Sequence, residues 1–237
     1  MKKFATACLC FCLGLLVLAA CGKKDEYASY RTATADVYTD AKQFMDELET
    51  VTLETDNAQL DQLYLRLTDI SNLADQVVLP ENSGANSYLY TSFSAARKAI
   101  QSVKAHALGI EVEAIGAQLK AELGAYVNLV EAADIDLMIK EAGLKLGSAE
   151  KITDMSSDDI TLLVDFIYDA RPLIADAPAN IKSMLEVKVT EVQNFLEKAQ
   201  QYLFAYEEYG DLARAVEDFK SEAIADFNDW VELVGHK

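Results

Sequence analysis

Apolar residues recur along this chain at alternating steps of three and four. Tyr30, Val37, Ala41, Phe44, Leu48 and Val51 form one set. Leu60, Leu63, Leu67, Ile70, Ala74 and Val77 form a second, and Leu89, Phe93, Ala96, Ile100, Val103 and Ala107 a third. A spacing near 3.5 residues puts each set on one stripe of a helix, and a helix with a single apolar stripe must bury it against neighbours. The pattern predicts antiparallel packing of these three helices. No segment has the period-two pattern of a strand.

Local signals punctuate the helices. Asp56 suits the N-cap of the second, and Pro80-Glu81-Asn82-Ser83-Gly84 the loop after it. Past Gly109 the stripe moves to Val112, Ile115, Leu119, Leu123, Val127 and Val130, and a phase jump at a glycine predicts a helix break or sharp bend. Gly109, Gly116, Gly124, Gly143 and Gly147 crowd this region, which points to close helix approach or, alternatively, to a mobile element. Ser156-Ser157-Asp158-Asp159 starts a helix that carries Ile160, Leu163, Val164 and Ile167 and is expected to stop near Pro172. Pro178 suits the first turn of a long helix with Ile181, Leu185, Val192, Leu196, Ala199, Leu203 and Tyr206 inward. Gly210 separates it from a last helix facing in through Leu212, Val216, Phe219, Ala223, Phe227, Trp230 and Val234. The expected fold is all-α, a multi-helix antiparallel bundle of about seven helices in one domain over 29–237.

The N-terminus follows another logic. Met1-Lys2-Lys3 precedes an apolar run from Phe4 to Ala20, the layout of a secretory signal peptide. It ends in Leu18-Ala19-Ala20-Cys21, which resembles the lipobox of bacterial lipoprotein precursors. That resemblance implies cleavage of residues 1–20, a diacylglycerol thioether on Cys21 and acylation of the new amino group by a fatty acid such as palmitate. Residues 21–28 would be a short tether holding the body close to an extracytoplasmic membrane face. Gly22 rather than aspartate after Cys21 resembles the default for outer-membrane sorting where an organism has two membranes. The alternative, an uncleaved transmembrane anchor, leaves the lipobox unexplained, and the run is at the short limit for about 30 Å of hydrocarbon.

All four cysteines (Cys8, Cys10, Cys12, Cys21) lie in this segment, so the body has neither disulfide nor thiolate metal site to stabilise it. It is expected to fold without metal or oxidant and to gain stability in moderate salt. Losing Lys2 and Lys3 takes the net charge from −18 to −20. Phosphate contacts require basic clusters, so no nucleic-acid partner is expected. Lys23 and Lys24 are the cations placed to meet lipid headgroups. The acidity suits basic partners or cations, or is an ordinary solvated surface.

Catalytic patterns are sparse. His106 has no carboxylate or histidine at helical offsets, and His236, next to the last residue, is expected to fray. Ser148-Ala149-Glu150-Lys151 matches the Ser-x-x-Lys of penicillin-interacting enzymes, but the companion Lys-Thr-Gly is missing, and Ser148 is explained as a helix cap. Asp134-Ile135-Asp136 lacks the glycine and distal glutamate of a calcium loop. With 39 acids in the chain, close carboxylate pairs such as Asp165 and Asp169 mark no acid-base couple. No catalytic residue, metal or cofactor is therefore expected. Tyr202, Tyr206 and Trp230 are expected in the core, whereas Tyr209 joins the first two only as a candidate for stacking on a sugar or peptide.

Phe204 stands apart. It projects away from Leu203 and Ala199 toward Gln200, Gln201 and Glu208. Either a second helix covers it or it contacts a partner. The leading expectation is a membrane-anchored, non-enzymatic module that binds another protein of the cell envelope. The alternative is a lipoprotein carrying a small or apolar ligand between its helices, and an enzyme comes third.

Overall fold

The computed structural model describes residues 25–126, 151–155, 157–176 and 179–237. Cys21, Lys23, Lys24, Val127, Val130, Asp134, Gly143, Gly147, Ser148, Ser156 and Pro178, all singled out in the sequence, lie outside the described residues. The helices are α1 (Ala28–Ala33), α2 (Ala35–Glu49), α3 (Asn57–Val77), α4 (Ser83–Tyr126), α5 (Ser157–Ala175), α6 (Ala179–Tyr209) and α7 (Leu212–Val234). Short 3-10 turns occupy Pro80–Asn82 and Ile152–Asp154. Among the described residues there are seven α-helices and no strand, and the fold is an all-α antiparallel bundle.

The three N-terminal stripes are buried as their spacing demands. Val37, Ala41, Phe44 and Leu48 of α2, Leu60, Leu63, Leu67, Ile70 and Ala74 of α3, and Leu89, Phe93, Ala96, Ile100 and Val103 of α4 share one core with α7. Asp56 caps α3 by accepting the Gln59 N–H at 2.9 Å. The first stripe differs from expectation in one respect. It is divided at the buried Thr34, whose hydroxyl donates to the Tyr30 carbonyl, so α1 and α2 are separate helices.

The break expected at Gly109 does not occur. α4 runs unbroken for 44 residues, about 66 Å at 1.5 Å per residue. The phase jump instead records a change of partners. Val103 belongs to the first core and Val112 to a second, built with α5, α6, Ile152 and Met155. Nine residues at 100° each turn the stripe through half a revolution, so the two halves of α4 are covered from opposite sides. Close approach is the role of Gly109 and Gly116. A Cβ on Gly109 would lie 2.5 Å from the Tyr202 ring, and one on Gly116 would lie 3.2 Å from Phe195.

The bend lies across from α4. α6 and α7 run antiparallel along its length, as Lys198 pairs with Glu111, the Tyr209 hydroxyl donates to Gln101 and Ser92 donates to the Ala223 carbonyl. Between them Gly210 adopts φ +69, a left-handed conformation that costs other residues more. Asp211 then caps α7, accepting the N–H groups of Ala213 and Arg214. α5 ends at Ala175, close to the stop expected near Pro172, with Pro172 itself inside the helix. The proline sits in the last turn, where the missing N–H forgoes a single bond.

Nor is His236 frayed. Gly235 (φ +78) closes α7, and the His236 ring stacks on Tyr38 at 4.5 Å and 4° and lies tilted against Trp230 at 4.9 Å and 41°. Its Nε2 lies 3.0 Å from the Thr34 oxygen, whose own proton goes to Tyr30, so the ring donates there. Burial, aided by the Arg31 charge, holds its pKa below the ordinary 6.5. The folded chain thus binds fewer protons at this site than the unfolded chain. Its contribution is fully present above pH 6.5 and is lost as acidification proceeds below it. Urea midpoints between pH 7.5 and 5 should fall more steeply for the wild type than for His236→Gln. Equal slopes would remove His236 from the acid response.

Candidate functional site

Where α6 passes the start of α5, the two helices leave a groove of about 530 Å³. Met155, Ile160 and Leu203 supply its apolar floor, Phe204 and Tyr206 stand along the α6 side, and Glu207 adds a carboxylate. The 3-10 turn at its end is pinned to α4, the Glu113 carboxylate accepting the Ile152 N–H at 2.5 Å. Asp154 accepts the Lys151 N–H and closes the turn.

Phe204 is not covered by a second helix; it is 70% exposed. Neighbouring aromatics grade away from it. Tyr202 is half-buried against Gly109, and burial together with Glu113 and Tyr206 pushes its hydroxyl pKa up, so it stays neutral. Tyr206, expected in the core, is 40% exposed. α5 begins only at Ser157, and the turn through Met155 covers the end of the α6 stripe in part. Trp230 is in the core as expected, with no exposed surface. Tyr209 packs edge-on against Phe219 at 5.5 Å.

Two exposed aromatics, Tyr88 on α4 and Tyr168 on α5, were not singled out in the sequence. Tyr168 on α5 is 71% exposed. The projection that singled out Phe204 finds it too, since Tyr168 falls outside the Ile160, Leu163 and Ile167 stripe.

Among the described residues no three His, Cys, Asp or Glu side chains come together as a metal site. His106 lies half-buried on α4 in the stretch between the two cores. No helix of the described residues is long and apolar enough to cross a membrane.

The chain matches no protein-family model, and comparison with curated proteins and with solved structures finds nothing similar to it.

Proposed function

We propose that the protein is a lipoprotein of the bacterial cell envelope, anchored through lipid on Cys21, that binds another protein by the α5–α6 groove without catalysing a reaction. The observation carrying the second part is Phe204, exposed on the wall of an apolar groove. Burying such a ring is favourable by about 1.5–3 kcal/mol, and exposed aromatics beside apolar pockets are the usual anchors of protein contacts. The anchor rests on Leu18-Ala19-Ala20-Cys21 behind an apolar segment. A small apolar ligand in the same groove is the second reading, favoured by a volume within the range of ligand sites. The groove is half-open rather than enclosed, which suits a protein surface better than a ligand that must be enclosed.

Affinity capture from native envelopes with the lipidated protein, followed by mass spectrometry, tests the binding role. Phe204→Ala should keep its stability within about 0.5 kcal/mol while partner recovery falls severalfold. Undiminished recovery would remove Phe204 from the contact. Cells fed a labelled fatty acid should label the wild type and leave Cys21→Ala unlabelled. Equal labelling of the two would rule out the anchor.

A further inference from the structure

We infer that the occupant of the groove is a basic amphipathic helix of the partner, laid between α5 and α6 with apolar side chains against Phe204 and Tyr168; this rests on the protein-binding reading above. Two observations carry it: the place of Tyr168 two turns along α5 from the groove and the sign of the charge around the strip. Thr161 lines the groove beside Phe204, and Tyr168 follows seven residues later on the same face of α5. Two helical turns separate them, about 10.5 Å. That is also the distance between residues i and i+7 of a docked helix, the spacing by which amphipathic helices anchor in grooves between helices.

The charge around this strip is one-sided. Glu207 lines the groove, and Glu197 lies two turns before Phe204 on the same face of α6. Asp158 and Asp165 flank Thr161 on α5, and all four carboxylates are exposed. Among the described residues no lysine or arginine lines the groove. Of the nearby cations, Lys198 pairs with Glu111 on the α4 side, Arg171 donates to Gln193 beyond Tyr168, and Lys151 lies in the turn below. An approaching helix with lysine or arginine beside its apolar stripe would therefore meet carboxylates on both walls. An acidic helix would be repelled.

The test uses the full chain in nanodiscs of zwitterionic phosphatidylcholine, with empty discs as the blank. The probe is a fluorescent helical peptide with leucine at i, i+3, i+4, i+7 and i+11 and lysine elsewhere, titrated by anisotropy. Binding above the blank should weaken about tenfold on Phe204→Ala or Tyr168→Ala. It should weaken similarly when the peptide lysines become glutamate, and by a smaller factor on Asp165→Asn with Glu207→Gln. If lysine and glutamate peptides bind alike while Phe204→Ala still abolishes binding, the basic partner is overturned and the groove reading stands. Binding that ignores Phe204→Ala and Tyr168→Ala overturns both. No binding above the blank overturns the basic helix alone, because envelope capture with Phe204→Ala judges the groove independently. A dimer of the full chain that Phe204→Ala dissolves would replace the basic helix with a second copy.

Discussion

Trp230→Ala should lower the unfolding free energy by about 3–5 kcal/mol, the largest loss expected from any single core truncation here. Trp230 has no exposed surface and lies at the meeting point of α1, α2, α4 and α7. Its indole N–H donates to the Tyr30 hydroxyl at 3.3 Å; that hydroxyl donates to Asn86 at 2.8 Å, and Asn86 donates to the Leu79 carbonyl at 3.1 Å. Phe227 at 5.7 Å and His236 at 4.9 Å pack on the ring, so alanine leaves a void that aromatic neighbours fill poorly. Trp230→Phe keeps most of the volume and leaves Tyr30 its bond to Asn86, so the loss should be nearer 1–2 kcal/mol, roughly that of a lost hydrogen bond and a small cavity. Urea denaturation of the three proteins checks the order. An alanine variant within about 1 kcal/mol of the wild type would mean that this core relaxes far more than packed interiors do.

Gly109→Ala has the second largest expected effect, and its sign decides between two forces. Replacing a mid-helix glycine by alanine gains about 1 kcal/mol from backbone entropy and propensity. At Gly109 the added carbon would sit 2.5 Å from the Tyr202 ring, so that ring or α6 must shift. Overpacking of this kind costs about 1–3 kcal/mol beyond the gain. Gly84, also in α4, has nothing within 4 Å of the same position, and Gly84→Ala should stabilise by about 0.5 kcal/mol. In a Tyr202→Leu background the penalty at position 109 should vanish, so a double-mutant cycle isolates the contact. A stabilised Gly109→Ala in the wild-type background would show that the approach of α4 to α6 is slack.

Much of the fold is legible because burial here follows helical period. The stripes of α2, α3, the first half of α4, and α7 bury the residues that their spacing nominates, apart from half-buried members such as Val77, Ala107 and Phe219. What failed depends on contacts distant in sequence. A phase jump looks the same whether the chain breaks or the helix changes neighbours, and only the presence of α5 and α6 beyond Val112 decides it. His236 is ordered by Thr34 and Tyr38, about two hundred residues away. Tyr206 carries a core pattern past the point where a covering helix exists. The Phe204 projection was legible, but whether another helix would cover it was not, because period specifies a face and not its neighbour.

The unbroken α4 also sets a distance. Asn86 bonds to Tyr30 at the end of the bundle where the chain leaves toward its N-terminus, and Gly109 lies against Tyr202 at the level of the groove. Twenty-three helical residues between them measure about 35 Å. With α6 and α7 braced along the same helix, that separation is a strut. If Cys21 carries the proposed lipid, the groove would stand that far along the strut from the end that carries Tyr30, and a partner's helix would have to stand at the same height to meet it.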